Sequence, residues 1–212
     1  MTRREEKDGV PRRGAVQEPF NTLGLHDEIA TLKQALAQVR VQLRKEILEA
    51  NSDPATGLLN KRGLEKSIGS SQSDVDNGLS QGGVAIAMDM RYLKIVNDTY
   101  GHGAGNKAIE TFAEKLKENC RDEDIIARTG GDEFVLIMPD LSPQETSQRR
   151  SGLKDALKEL DFKYGKHNII VGVRMGVSKY DATISITQAL KTADEREGAI
   201  RKNLKKFEPP RY

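Results

Sequence analysis

The sequence of 212 residues contains no tryptophan, three histidines and one cysteine, Cys120. A single cysteine cannot form an internal disulfide, and no group of Cys and His residues has the spacing of a zinc site. No apolar run approaches the roughly 18 residues that a membrane-spanning helix needs. We therefore expect no disulfide, no structural zinc and no membrane span.

An excess of charge of either sign is also missing, because 34 Lys and Arg residues are balanced by 32 Asp and Glu residues. A net charge of +2 gives no reason to expect nonspecific nucleic-acid binding, so any phosphate must be bound by a local site. The Arg-rich N-terminus has no apolar segment behind it and does not resemble a secretory signal. These features predict a cytoplasmic protein that binds neither nucleic acid nor membrane.

The length suits one domain with a modest appendage. Residues 1–20 mix charges with Gly and Pro, which predicts a disordered tail. Residues 21–51 carry apolar side chains at alternating steps of four and three, which predicts a helix: Leu25, Ile29, Leu32, Leu36, Val39, Leu43 and Ile47. The spacing is that of a coiled-coil seam, and an amphipathic helix packed on its own domain fits it equally well.

Asn51-Ser52-Asp53-Pro54 breaks this helix and predicts the start of a folded domain over residues 52–206, followed by a tail at 207–212. Helix and strand patterns alternate within the domain, which indicates an α+β fold. The predicted elements are a helix beginning within 57–64, a flexible loop over 69–83, a strand over 84–88, a helix over 93–100, a turn over 101–105, a helix over 106–120, strands over 125–129 and 134–138, a helix over 143–160, a strand over 169–178 and a helix over 186–205.

Acidic residues stand at two of the predicted strand ends. Asp89 follows the apolar strand 84–88, and Asp132 and Glu133 occupy the turn that Gly130-Gly131 begins. Converging carboxylates are what Mg²⁺ requires, usually with phosphate oxygens completing its shell. Spacing alone favours the simpler interpretation that these are solvated turn residues.

Three ordered motifs resemble those of the diguanylate cyclase, or GGDEF-domain, family. They are Asp53-x-x-Thr56-Gly57-Leu58-x-Asn60-x-Arg62, Asp89-x-x-x-x-Lys94-x-x-Asn97-Asp98-x-x-Gly101-His102-x-x-Gly105 and Arg128-x-Gly130-Gly131-Asp132-Glu133-Phe134. Several motifs in the same order are more specific than a lone Gly-rich turn. The resemblance covers most of residues 52–180 and weakens toward the C-terminus. It implies a palm-like nucleotide-cyclase fold, with a central, mostly antiparallel sheet and flanking helices.

The resemblance also implies an activity. Two monomers would each hold one GTP and face each other as a homodimer, with Mg²⁺ as the cofactor. Each 3′-hydroxyl would attack the α-phosphate of the opposite GTP, which releases pyrophosphate and gives cyclic di-GMP. The product would then bind as a feedback ligand.

Site residues are carried over position by position. Asp89, Asp132 and the backbone carbonyl of Met90 would ligate Mg²⁺, and the catalytic set would be Asp132, Glu133 and Lys94. The substrate would be bound by the amides of Tyr92 and Leu93 at the phosphates, by Asn97, His102 and Asn106, by Gly130 and Gly131, and by the cations Arg201 and Lys205. Arg121 and Asp124 have the R-x-x-D spacing of the family's inhibitory product site, although a charged connection between helix and strand has the same composition.

The sequence departs from the family pattern at three places. Arg91 replaces an acidic residue, Asn106 replaces the aspartate that accepts hydrogen bonds from guanine, and residues 196–206 diverge from the usual ending. Arg201 and Lys205 fit a solvated basic helix end as well as a phosphate site. These departures leave open a catalytically silent cyclic di-GMP binding module and a cyclase with altered base choice. A purely structural coiled-coil protein is disfavoured by the motifs.

Overall fold

A computed structural model of the protein describes residues 22–204, with no side-chain description at residues 22, 23, 143 and 201–204. The predicted tails at 1–20 and 207–212 lie outside the described residues, as does Lys205. The described residues divide into two compact units, with the division between Arg44 and Lys45. Within residues 22–204, no helix is both long enough and apolar enough to span a bilayer.

Helix α1 (Thr22–Asn51) occupies almost the whole range that the apolar spacing predicts. The seven side chains of the 4-3 pattern are each between 42% and 64% exposed. Val41 and Leu48 lie outside that pattern and are also exposed. The helix therefore presents a continuous apolar stripe to solvent.

The second unit is built on one five-stranded sheet in which every neighbouring pair is antiparallel. Its strands are β1 (Gly83–Arg91), β2 (Ile125–Arg128), β3 (Glu133–Pro139), β4 (Glu159–Tyr164) and β5 (His167–Tyr180), in the spatial order β2-β3-β1-β5-β4. With its flanking helices, this sheet confirms the predicted α+β class and the antiparallel centre. Residues 84–88 of the central strand β1 are all apolar because both faces of the strand are buried, and Asp89 follows them on the same strand.

Five helices cover the sheet: α2 (Lys61–Asp76), α3 (Leu93–Tyr100), α4 (His102–Glu118), α5 (Pro143–Leu157) and α6 (Ile186–Leu204). On one face, Ile86 and Met88 pack with Phe112 of α4, whose ring meets that of Phe134 edge-on at 4.5 Å. On the other face, Ala85 packs among residues of α2 and α6. The two faces of β1 thus belong to two separate apolar clusters.

Two details of the predicted element order before β2 are wrong. The expected loop at 69–83 is helical as far as Asp76, because Val75 is buried and Gln72 accepts a hydrogen bond from the backbone of Ile186. The expected turn at 101–105 is confined to Gly101, whose φ of 86° separates α3 from α4. The helix predicted to begin within 57–64 does begin there, at Lys61, after its cap Asn60.

The strand β4 is absent from the predicted order, which continued a helix to residue 160. Leu153, Leu157 and Leu160 have helical spacing, but Leu160 and Phe162 are already the inward-facing pair of a strand. β4 pairs with the first part of β5, from Tyr164 opposite His167 to Glu159 opposite Gly172. The strand therefore ends halfway along β5.

Helix α6 lies unusually close to β5. A β-carbon built on Gly176 would stand 1.8 Å from the carbonyl oxygen of Ala193, so no larger residue fits between them. Because of this close approach, the next turn of α6, which carries Glu197, lies against the sheet near the C-terminal end of β1.

Candidate functional site

The pairing of β1 with β3 brings the two acidic sequence positions together. Asp89 lies opposite Glu133 in the register, and the Met90 amide donates to the Asp132 carbonyl at 3.0 Å. Asp132 is half-buried and Glu133 is exposed. A β-carbon on Gly130 would lie 2.6 Å from a Glu133 carboxylate oxygen, so a larger residue there would displace the exposed Glu133 side chain.

A cavity of about 410 Å³ lies beside this turn, between α3 and α4. Six residues of the expected site line it: Leu93, Lys94, Asn97, His102, Gly131 and Asp132. Asp98, Ile109 and Arg128 complete the wall. Tyr92 precedes α3 in a left-handed conformation, with φ at 67°. Asn106 is exposed one helical turn beyond His102 and is not part of the wall.

Asn97 has a side-chain oxygen that is buried without a hydrogen-bond partner. A buried polar atom in that state is costly, which makes it a candidate for pairing with a ligand. Gly105 allows the arrangement, since a β-carbon there would lie 1.9 Å from the same oxygen. The glycine of the second motif is therefore explained by the position of Asn97.

Arg128 joins the first motif to the acidic turn. Its guanidinium contacts both Asp53 carboxylate oxygens at 3.1 and 3.2 Å and donates to the Gly131 carbonyl at 2.8 Å. Asp53 also accepts from the hydroxyl and amide of Thr56. Burial raises the pKa of Asp53, but the hydrogen bonds from Thr56 and Arg128 outweigh it and hold that pKa below its ordinary value.

Arg174 and Glu197 were missed by sequence reasoning. The β1–β5 register sets Arg174 directly opposite Asp89, and its guanidinium pairs with the Asp89 carboxylate and, at 2.6 Å, with Glu197. The three side chains are each no more than 14% exposed, so these are desolvated ion pairs. The sequence feature that could have indicated this ion pair is the presence of one arginine within the stretch 169–177, which has no other charged residue.

Arg91, by contrast, was expected to place a positive charge at the metal position. Its guanidinium instead lies 4.7 Å from the centre of the Tyr92 ring and bonds the Tyr92 hydroxyl. It does not line the cavity of about 570 Å³ that contains Asp89, Glu133 and Glu197. The cation that opposes Asp89 is therefore Arg174.

The donor atoms at this turn suit a hard divalent cation in kind, since Asp89, Asp132 and the Met90 carbonyl all offer oxygen. No three acidic, histidine or cysteine side chains within the described part of the chain converge closely enough to hold a metal by themselves. Phosphate oxygens would have to complete the shell, and Arg174 would have to yield its contact with Asp89.

The R-x-x-D pair has a partner that the sequence did not indicate. Arg149 of α5 contacts both oxygens of the fully buried Asp124 carboxylate, at 3.1 and 2.5 Å, and the Arg121 amide adds a bond of 2.8 Å. The Arg121 side chain is 42% exposed, near Glu123 and Glu145. Arg121 is thus the member of the pair that is accessible to a ligand.

Arg201 belongs to α6, but its side chain is not described, and Lys205 lies beyond the described range.

Residues 50–206 match the family described as diguanylate cyclase, GGDEF domain. Probable diguanylate cyclase DgcJ of Escherichia coli is 31% identical over 163 residues, which is 76% of this chain and 32% of that protein. Diguanylate cyclase DgcP of Pseudomonas aeruginosa is 25% identical over 173 residues, or 81% of this chain and 25% of that protein. The chain thus spans no more than about a third of these relatives.

Solved structures show the same fold. The coiled coil and GGDEF domain of DgcB from Caulobacter crescentus, in complex with c-di-GMP, matches with a TM-score of 0.74 at 19% identity, covering 84% of this chain and 95% of that one. Diguanylate cyclase SiaD from Pseudomonas aeruginosa, in complex with its activator SiaC, matches with a TM-score of 0.69 at 24% identity, covering 86% and 70%.

Proposed function

Because the chain belongs to the diguanylate cyclase GGDEF-domain family, we propose that residues 52–206 condense two molecules of GTP into cyclic di-GMP and release pyrophosphate. One observation carries the proposal. A cavity with a buried, unpartnered acceptor at Asn97 opens directly beside the acidic turn at Asp132. We place the reaction in the cytoplasm, which supplies GTP.

The cavity would receive the nucleotide with its base toward Asn97 and its phosphates toward Asp132. Guanine carries N–H donors at N1 and N2, and Asn97 offers a buried oxygen to one of them. His102, which lines the cavity, and Asn106, one turn further along α4, would contact the nucleotide from that helix. The phosphates would be met by the amides of Tyr92 and Leu93 at the start of α3, by Gly130 and Gly131, and by the Lys94 ammonium. Arg201 and Lys205 would add positive charge at the phosphates.

Mg²⁺ would be held by Asp89, Asp132 and the Met90 carbonyl, where it would neutralise phosphate charge and acidify the 3′-hydroxyl. Asp132, with Glu133 beside it, would accept the proton that the 3′-hydroxyl loses. Lys94 is exposed and reaches into the cavity wall, where it would stabilise charge that develops on the phosphates. Arg128 would keep the turn in position through its bonds to Asp53 and Gly131.

The reaction needs two GTP molecules, and each cavity holds one, so two chains must face each other. The exposed apolar stripe of α1 is the surface that we propose for pairing them, as a parallel coiled coil. The product would bind at Arg121, next to the buried Asp124–Arg149 pair, and repress its own synthesis.

Incubation of the purified chain with Mg²⁺ and either GTP or ATP, followed by mass analysis of the products, tests this proposal. We expect cyclic di-GMP from GTP, and we expect Asp132→Asn to abolish it. The matched control is Asp161→Asn, which removes an exposed carboxylate on β4 and should leave the rate unchanged. Two alternative functions remain as outcomes. A chain that makes no product but binds cyclic di-GMP is a receptor module, and an adenine-containing product shows altered base choice.

A further inference from the structure

A cavity of about 550 Å³ runs along the outer edge of β5, between α5 and α6. The proposed cyclase chemistry uses none of its wall except Arg174. Its apolar base comes from Leu153 of α5 and from the alternate β5 residues Val173, Met175 and Val177. It combines an open strand edge with a concentration of positive charge.

The open edge results from the early end of β4. β4 pairs with β5 only as far as Gly172, whereas β1 pairs with β5 from Gly172 to Tyr180 on the other side. From Val173 onward, β5 therefore has a strand neighbour on one side only among residues 22–204. Backbone groups of an antiparallel strand alternate in direction, so those of Val173 and Met175 point the same way as those of Val177. The Val177 carbonyl accepts a hydrogen bond from the Arg196 guanidinium at this edge. The backbone groups of Val173, Met175 and Val177 therefore point away from β1, toward the open edge.

Cations flank the edge on both sides. Arg150, Lys154 and Lys158 recur at intervals of four along one face of α5 and just past its end, and all three are exposed. Arg196 stands opposite them on α6. None of these four makes a salt bridge with a carboxylate in the described range, and none of the thirteen lining residues is acidic.

Arg174 also lines the cavity, but Asp89 and Glu197 already neutralise its charge, and we do not count it. Arg91 of β1 lines the cavity too, with its guanidinium held at the Tyr92 ring and hydroxyl. Together with Arg91, the four exposed cations of α5 and α6 create a potential that favours an anionic partner. Their separation along α5 and α6 suits several carboxylates spread along an extended chain rather than one compact anion.

We propose that this edge binds an acidic, extended segment of a partner protein, which adds to the sheet as a strand beside β5. The backbone of the segment would pair with Val173 and Met175, and its carboxylates would lie against the cations of α5 and α6. The five residues from 173 to 177 span about 16 Å, enough for a strand of ordinary length. A polyanion without a peptide backbone, such as a nucleic acid, meets the charges but leaves the strand edge unpaired.

Fluorescence anisotropy with a labelled peptide of alternating glutamate and valine tests the proposal on the full chain. We expect saturable binding that Arg150→Glu/Lys154→Glu weakens about tenfold, because two attractions become repulsions. The control Lys66→Glu/Lys163→Glu changes net charge equally at exposed positions outside the cavity and should bind as the wild type does. Circular dichroism shows whether each variant is folded.

Backbone pairing is tested separately. A peptide with proline in place of the central valine lacks one N–H donor and should bind about fivefold more weakly. Hydrogen exchange at the amides of residues 173–177 should slow on addition of the parent peptide. No binding, equal binding of the proline peptide, or unchanged exchange would each overturn strand addition. Complete displacement by inorganic triphosphate, with exchange unaffected, would assign the cavity to small anions instead.

Discussion

At the scale of single residues, the most consequential feature is the position of Arg174 between Asp89 and Glu197. Two buried carboxylates without this guanidinium would be strongly destabilising, and the guanidinium without them equally so. Arg174 would also repel any metal cation that binds to Asp89. The trio is therefore internally neutralised without metal and would weaken the proposed metal site.

The first prediction follows from that competition. The double variant Arg174→Gln/Glu197→Gln removes one charge of each sign and leaves Asp89 for the metal. We expect its Mg²⁺ affinity, measured by calorimetry without nucleotide, to rise about tenfold, because unit charges about 4 Å apart interact by roughly 1–4 kcal/mol. Arg150→Gln, at an exposed position, is the control. Equal affinity in a folded double variant would show that Arg174 does not compete.

The second prediction concerns Asn106. A carboxylate at this position can accept from both N–H groups of guanine, whereas an amide accepts at one atom and donates at the other. Adenine presents a donor and an acceptor, which an amide matches. We expect Asn106→Asp to raise the GTP-to-ATP rate ratio about fivefold or more, as one hydrogen bond is worth ~1 kcal/mol or more. An unchanged ratio would mean that this exposed position does not select the base.

The third prediction is a pH dependence. The pKa of Asp53 is lowered in the folded chain by Thr56 and Arg128, so its ionised form stabilises the fold. That stabilisation is complete above the unfolded-state pKa of about 3.9 and is lost as the pH falls through the folded-state pKa. Asp53→Asn should therefore cost roughly 2 kcal/mol of unfolding free energy at pH 7. Denaturant titrations should show this difference shrinking below about pH 4, and a constant difference down to pH 2 would contradict it.

At the scale of elements, sequence patterns predicted most helices and strands but not all of their limits. β1 and β3 were predictable because each contains a run of buried apolar residues. α3 was predictable because Gly101 ends it. β4 was not, because Leu157 and Leu160 continue the spacing of α5 and only pairing with β5 makes that segment a strand. α2 was shortened in the prediction because Ser and Gly dominate residues 69–73, yet burial of Val75 overrides their weak propensity.

The residues of the candidate site also divide into those that the sequence predicted and those that it did not. Family motifs located Asp89, Asn97 and Asp132, and the structure brings the last two to one cavity. Arg149 and Arg174 were not predictable, since each acquires its partner only through the packing of a distant element. Their partners Asp124 and Asp89 lie 25 and 85 positions away.

The contact between α3 and α4 supports the fourth prediction. Gly105→Ala would place a methyl group 1.9 Å from the present position of the Asn97 oxygen, so α4 or Asn97 must move. We expect the KM for GTP to rise about tenfold, with a smaller change in kcat. Gly69→Ala is the matched control, because its β-carbon meets nothing within 4 Å on α2. A normal KM in Gly105→Ala would remove Asn97 from the nucleotide site.

At the scale of the whole molecule, the proposed reaction requires two chains, because one cavity accommodates one of the two nucleotides. Activity per chain should then rise with protein concentration and level off once the chains are paired. The stripe on α1 supplies a test with an internal control. Val39 lies on the 4-3 seam and is 62% exposed, whereas Val41 lies off the seam and is 68% exposed.

The fifth prediction compares these two valines. Val39→Glu would bury two like charges at a coiled-coil seam, and we expect the dimer dissociation constant, measured by analytical ultracentrifugation, to rise at least about tenfold. Activity at low protein concentration should fall in parallel and recover at high concentration. Val41→Glu adds the same charge to the outer face and should change neither quantity. If both variants dimerise as the wild type does, the seam is not the pairing surface, and an equal loss in both would point to helix destabilisation rather than to a specific interface.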